Sequence, residues 1–479
     1  VRPQGAGFEI TSTEDVLKPL SATDVEIGYD GQMYVSDFVQ LIWDGGNRKG
    51  RIFAASVPAM RENATVKETR DLFRGGFTKL STERLAALLS HADQRARQRA
   101  QFELVARCTK SPPEVAAWTA IRTTLQSDNR FAKLHATWAL WQLGRAWSPE
   151  KSGEIRDLLV AQLGGGDAEV RAQAAKALGE VGSAKEVPYL IKRLEDPEPR
   201  VQFFAAQALG RRGDRAAVGP ILQLVERNDD KDLYLRHAAV VALERLGDWP
   251  AMTARTRDPS AAVRMAALLV LRRAEHLGVA AFLQDPEPRI VVEAARAIHD
   301  VPIEVGQADL AAMLPRVGDT ASQPALEPLC RRAIAANFRI GGEANAKAIA
   351  EVATGSKHSE AMRREAISAL ADWAAPPPRD RVTWFWRPLS PRDAAPAKVA
   401  VESVVGPLLS GSQGKVLEEA TNLVDRLQIK LFGAPVCLPP ACWADPDSRF
   451  GRDHRRSGLR ICLASPLDVI QEGSYTQVG

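Results

Sequence analysis

Cys437-Leu438-Pro439-Pro440-Ala441-Cys442-Trp443 brings two thiols near each other, but covalent haem needs two cysteines two residues apart and a histidine directly after them. The gap is wrong and the histidine is missing. The histidines His91, His135, His237, His276, His299, His358 and His454 each stand alone, without the second His or carboxylate that a His-Glu-x-x-His helix offers a metal. His135 and His237 fall at the openings of helices, where a structural role is expected. Gly164-Gly165-Gly166 precedes a helix, as a phosphate loop does, yet lacks the Gly-Lys-Ser/Thr ending. Gly5-Ala6-Gly7 has Ile10 where a dinucleotide fingerprint needs a third small residue. Asp24, Glu26, Asp30 and Asp37 form an acidic cluster that offers hard oxygens to a cation such as calcium, or serves turns and strands. The Gly-x-Ser-x-Gly elbow of esterases is absent. No catalytic, cofactor-binding or metal-ligating residue is assigned, and this chain alone reads as non-enzymatic.

The elements that would have to position any chemistry are repeats. Asp167-Ala168-Glu169-Val170-Arg171 leads to Ala174-Ala175-Lys176-Ala177-Leu178-Gly179, and Asp196-Pro197-Glu198-Pro199-Arg200-Val201 leads to Ala205-Ala206-Gln207-Ala208-Leu209-Gly210. The apolar residue closing each alanine run recurs at Leu104, Leu140, Leu178, Leu209, Leu243, Leu271, Ile298, Ile334 and Leu370. Seven positions earlier stand Arg97, Lys133, Arg171, Arg236, Arg264 and Arg363, while Gln202, Val291 and Glu327 break the pattern. A period near 30 holds two short helices and two turns, and units too small to bury their own apolar face stack into an α-solenoid. Asp-Pro at 196, 258 and 285 is expected to start helices, with Asp as cap and Pro in the first turn. Gly179, Gly210 and Gly247 are expected to end them. The arginines are expected to pair with acidic caps of adjoining repeats and stabilise stacking, or else to contact a ligand, and Arg171 is expected at a solvated turn.

A hydrophobic content of 45% with 25% charged residues is that of an ordinary soluble protein, and no apolar run reaches the roughly 18 residues of a membrane helix. The net charge of +4 is spread along the chain, which excludes the concentrated basic stripe of a nucleic-acid binder. The chain opens at Val1 inside what reads as a domain, so a fragment or processed product is expected. Residues 1–57 are a β segment: Thr23 to Ile27, an Asp30-Gly31 turn, Gln32 to Asp37, and Gly50 to Ala54. A linker helix over 58–79 leads to repeats over 80–375. A Pro/aromatic insert (376–395) and a further helical repeat (396–432) precede an irregular tail (433–479), disordered or frameshifted. Trp384, Phe385 and Trp386 in the insert are the candidate interaction surface; the other reading has them plug the solenoid groove or cap a repeat. Cys108 and Cys330 fall inside helices as buried free thiols.

The repeats, with openings such as Asp258-Pro259-Ser260-Ala261-Ala262-Val263-Arg264, resemble the short bacterial form of the HEAT family over roughly residues 80 to 375. The fold class expected is mainly α, a HEAT-type solenoid of about nine or more helical hairpins with a small N-terminal β segment. Thr23-Asp24-Val25-Glu26, Asp30 to Asp37 and Gly50-Arg51-Ile52-Phe53 look like the last blade of a glucose/sorbosone dehydrogenase propeller. Together with Lys79-Leu80-Ser81, Arg97 to Leu104 and the insert, they make the chain similar to a family of planctomycete and verrucomicrobial proteins, the membrane-bound dehydrogenases in which propeller, HEAT repeats and c-type cytochrome follow one another. That resemblance implies a periplasmic or cell-envelope setting, haem c and sugar or alcohol oxidation on parts of a full-length parent outside this chain, and protein partners or adjacent domains for the repeats.

Overall fold

The computed structural model describes residues 1–18, 20–38, 50–148 and 150–430; Cys437, Cys442, Cys462, His454 and the tail lie outside them. The chain divides into two compact units, one ending at Val270 and one beginning at Leu271. The fold is a mainly α HEAT-type solenoid with small antiparallel β-sheets at the N-terminus.

In the first unit, β1 (Arg2–Gln4) and β2 (Gly7–Glu9) form a two-stranded antiparallel hairpin, an element the sequence reading lacks. A three-stranded antiparallel sheet follows in the order β3 (Ala22–Ile27), β4 (Met33–Phe38), β5 (Gly50–Ala55). Two helices, Pro58–Glu62 and Ala64–Gly75, stand where one was expected. Asn63 ends the first in extended backbone and caps the second by accepting from Thr65 N–H at 2.9 Å.

The nine anchors each lie in a separate helix: α1 (Gln94–Thr109), α2 (Arg130–Ala146), α3 (Ala168–Val181), α4 (Pro199–Arg212), α5 (Leu233–Leu246), α6 (Ala261–Arg273), α7 (Pro288–Asp300), α8 (Glu327–Ile340) and α9 (Glu360–Ala371). All nine anchors are 0–1% exposed. Helices α1 to α5 pack each on the next, and in the second unit α7, α8 and α9 do the same. Every one of α1 to α5 also packs on a shorter partner helix before it, such as Val218–Asn228 before α5. Full burial of a leucine side chain contributes about 2 kcal/mol, so one anchor per repeat is a large part of what a single hairpin can gain.

Two local expectations are corrected. Asp196, Asp258 and Asp285 do not cap the helices that follow them. Each closes the preceding 3₁₀ turn in extended backbone and accepts the N–H two residues on, at 3.1, 3.0 and 2.9 Å. In two of the three a second proline, Pro199 or Pro288, excludes helical backbone from Glu198 or Glu287, which therefore stands in extended backbone as the helix's N-terminal flank. All three helices start three residues after the aspartate, with Pro199 and Pro288 in the first turn of α4 and α7. Likewise Gly179 and Gly210 lie inside α3 and α4. A Cβ on Gly179 would stand 2.9 Å from Ala208 Cα, and one on Gly210 would stand 2.6 Å from Ala242 Cα. These glycines let consecutive helices touch along their alanine faces. Left-handed helix ends occur at Gly213 (φ +73°), Asp229 (φ +47°) and Gly247 (φ +64°).

Three of the five recurrent arginines are not at solvated turns, while Arg236 and Arg363 are half-buried. Arg97, Arg171 and Arg264 are buried, and each points one guanidinium nitrogen back at two carbonyls five and six residues earlier. Arg171 takes Gly166 and Gly165 in this way, so the glycine run closes a turn. Its other two nitrogens hold Asp196 of the next repeat in a fork, both at 2.9 Å. Arg97 instead donates to His135 Nε2 on α2 at 3.2 Å, and Arg363 reaches Ser412 Oγ at 2.7 Å. The expected pairing between adjoining repeats is present at Arg171, in a buried setting.

Candidate interaction surfaces

Pro376-Pro377-Pro378 ends helical structure after α9 and sends the chain into a compact hairpin. Arg379 and Trp386 form an antiparallel bridge, Asp380 N–H donates to Phe385 O at 2.8 Å, and Arg387 N–H donates to Pro378 O at 3.1 Å. The hub is Asp380, 4% exposed. One carboxylate oxygen accepts from Val382 N–H (2.9 Å), Thr383 N–H (3.0 Å), Thr383 Oγ1 (3.1 Å) and Nε2 of the fully buried His299 on α7 (3.0 Å). Arg339 and Arg387 each stand 3.6 Å from the other oxygen. Burial would raise the Asp380 pKa, but the His299 hydrogen bond and charge, with the two backbone donors, hold it well below the usual carboxylate range.

Three arginines fasten the hairpin to the helices beneath it. Arg381 binds Glu365 (3.0 Å), Asp372 (2.7 Å) and Ser368 (2.7 Å) at and beyond α9. Arg387 donates to His299 O and Glu304, both at 3.0 Å, and Arg339 of α8 donates to Arg387 O at 3.3 Å. Above this base the candidate rings stand out: Trp384 is 71%, Phe385 61% and Trp386 67% exposed. They neither plug a groove nor cap a repeat. Trp384 sits at φ +59°, a left-handed conformation that bulky residues rarely adopt, and its carbonyl accepts from Arg379 at 3.1 Å. An anchored backbone carrying three bare aromatic rings can bind a partner with little ordering cost.

The first unit has a second surface. The two-residue turn Gly5-Ala6 joins β1 to β2, with Gly5 at φ +56°. Ala6 N–H donates to Asp232 Oδ2 at 2.6 Å, while Oδ1 of the same carboxylate caps α5 through Tyr234 and Leu235 N–H. Gly7 lies so close to the Tyr234 ring that a Cβ would collide with it, and the Arg200 guanidinium of α4 lies 5.4 Å from the Phe8 ring. Gly5-Ala6-Gly7 therefore forms a hairpin turn seated on the start of α5. Sequence reasoning missed it because three-residue strands carry no usable period. The three-stranded sheet sits elsewhere on the unit: Tyr29 stacks on Phe73 at 3.8 Å, with Arg95 4.9 Å from its ring.

The remaining candidates are used locally. Asp30 accepts from Gln32 and Tyr34 at its turn, and buried Asp37 accepts Ser21 N–H at 2.9 Å. Among the described residues no group of three or more His, Cys, Asp or Glu side chains is placed to hold a metal ion. His135, 3% exposed, bonds Gln101 at 2.7 Å, and burial together with Arg97 lowers its pKa to about 4. It is neutral at pH 7, with Nδ1–H donating to Gln101 and Nε2 accepting from Arg97. Cys108 and Cys330 are buried free thiols pushed up to about 11 and about 12, by burial first and nearby carboxylates second.

Residues 156–244 match the model of the HEAT repeats family, spanning α3, α4 and most of α5. The chain carries a HEAT-repeat region, a class of scaffold that mediates protein interactions. A stretch of 119 residues is 31% identical to cullin-associated NEDD8-dissociated protein 2 of Mus musculus, covering 22% of this chain and 10% of that protein. The Rattus norvegicus protein matches at the same identity over 9% of its length, so the chain spans about a tenth of the curated relatives it matches. Among solved structures, the complex of CpcE and CpcF of phycocyanin lyase from Nostoc sp. PCC7120 is similar at 23% identity, covering 61% of this chain and 93% of that one with a TM-score of 0.26. Kap121p is similar at 11% identity, covering 78% and 44%, with a TM-score of 0.46. Among the described residues no helix is long and apolar enough to cross a membrane.

Proposed function

We propose that this chain is a non-catalytic protein-interaction scaffold whose second unit docks a partner on Trp384, Phe385 and Trp386. The observation that carries this reading is the contrast within one hairpin: a buried Asp380 hub and three arginine ties below, three exposed aromatic rings above. Aromatic rings on a fixed backbone are the side chains that dominate binding energy at interfaces. The test is proximity cross-linking from a probe at Ser390 in the native host, followed by titration of each purified cross-linked protein. Triple alanine replacement at 384–386 should weaken that binding by at least about 100-fold, as loss of two hot spots implies, with thermal midpoint unchanged. Unaltered affinity would refute the docking role.

The same proposal takes in the parentage that the sequence resembles: repeats of a dehydrogenase-like, cytochrome-linked bacterial protein of the cell envelope, with sugar oxidation and haem c on parts outside this chain. The antiparallel order β3, β4, β5 ahead of the repeats supports it, being what a partial propeller blade would leave. Reading the genomic frames on both sides tests it; a propeller upstream and Cys-x-x-Cys-His downstream are expected, and unrelated flanking sequence refutes the parentage.

A further inference from the structure

The β1–β2 hairpin is held where two successive repeats begin. Arg200 comes from the first turn of α4, while Asp232 and Tyr234 come from the start of α5. Each of three consecutive hairpin residues meets one of them: the Ala6 N–H an acceptor oxygen, Gly7 the ring of Tyr234, Phe8 a guanidinium. The chemistry is that of recognition. One carboxylate oxygen takes the backbone donor while its partner oxygen caps the helix, and a Cβ at Gly7 would meet the ring of Tyr234. A cation faces an aromatic ring.

The occupant is weakly built for permanent residence. Among the described residues the hairpin joins no larger sheet, and two strands by themselves are marginal in water. Only Ala6 of residues 1–9 is buried, Phe8 remains 52% exposed, and residues 10–18 lead away without regular secondary structure. Leu233 and Tyr234 beside it are themselves more than half exposed.

We propose that the face formed by Arg200, Asp232 and Tyr234 is a peptide-recognition site for a glycine-x-glycine-aromatic or similar small-small-aromatic turn of a partner protein, and that residues 5–8 are its resident, displaceable ligand. Because the site lies in the first unit and uses none of residues 384–386, its failure and that of the aromatic hairpin are separable.

The probe is a synthetic peptide of residues 1–12, titrated by calorimetry into the full chain. Wild type should bind it feebly, because the tethered copy competes at an effective concentration near the millimolar range. Gly7→Val/Phe8→Lys unseats the resident by steric clash with Tyr234 and repulsion from Arg200, and should bind the peptide at least about tenfold more tightly. Adding Asp232→Asn, which keeps the oxygen that caps α5 and replaces the one facing Ala6, should weaken that binding at least about tenfold. Hydrogen exchange reads the resident directly. The Ala6 amide should be protected in wild type and exchange at least about tenfold faster in Asp232→Asn, with α5 amides unchanged. Equal peptide binding by wild type and the unseated chain, no binding by either, or an unprotected Ala6 amide would overturn the proposal. So would a wild-type dimer that dissociates on Phe8→Lys, since the occupant would then be a second copy's hairpin.

Discussion

Arg171→Ala removes a charge that the structure has buried between two repeats. Its side chain is 10% exposed and that of Asp196 only 1%. The fork contributes two charge-assisted hydrogen bonds, and hydrogen bonds to charged groups are each worth about 1.5–3 kcal/mol net. Two further bonds tie the carbonyls of Gly165 and Gly166. The substitution leaves the Asp196 carboxylate with Arg193 at 3.3 Å and Glu198 N–H at 3.1 Å, which reduces the loss but does not cancel it. Breaking one side of a buried pair costs about 3–5 kcal/mol, and with Arg193 retained the expected loss is about 3 kcal/mol. Arg211, whose bond to Glu180 joins side chains about one-third and one-quarter exposed, is the control, and Arg211→Ala should cost about 1 kcal/mol or less. Urea unfolding followed by circular dichroism reads both, with hydrogen exchange on α3 and α4 to localise the effect. Asp196→Ala added to Arg171→Ala should cost far less than Asp196→Ala alone, because the fork is already gone. A loss at Arg171 no larger than at Arg211 would refute the reasoning that these arginines hold repeats together.

His135 makes stability depend on acidity: its folded pKa of about 4 lies below the ordinary 6.5, so the unfolded chain binds the proton first. Stability is full above pH 6.5, falls as pH drops from 6.5 towards 4 by about 3 kcal/mol, and levels off below. Denaturation midpoints against pH should show this slope, and His135→Gln should flatten it. Gly210→Ala should cost about 2 kcal/mol although alanine favours helices, because the added methyl meets the α5 backbone. Gly213→Ala, with open space around it, should cost only about 1 kcal/mol for its positive φ; equal calorimetric shifts for the two would be the contrary result. Cys108 and Cys330 should resist a thiol reagent at pH 8 in the folded chain and react on unfolding, as their raised pKa values require.

The nine anchors could be read in advance because burial of one large apolar residue recurs along the chain at helical-hairpin spacing, a signal that averages over many repeats. The glycines misled for a physical reason. Ala-Leu-Gly has the form of a helix ending, and what carries α3 and α4 past it is the alanine face of the next helix, some thirty residues on. Arg171 was found by its spacing, but its burial depends on Asp196 and the preceding carbonyls together. At the aromatic insert, composition singled out Trp384 to Trp386 but not their exposure. That follows from Asp380 meeting His299, 81 residues earlier in the chain, which no local pattern announces.

The arginine that clasps its own turn and the next repeat's aspartate bears on how such a chain can be copied. A folding unit here is a helical hairpin, yet Arg171 is satisfied only when the segment through Asp196 accompanies it. A duplication cut cleanly at hairpin borders would deliver a donor without its acceptor at one end and an acceptor without its donor at the other. The heritable module is thus out of phase with the structural one. Surviving duplications should begin and end inside hairpins, downstream of the aspartate, and a designer lengthening this solenoid should splice there.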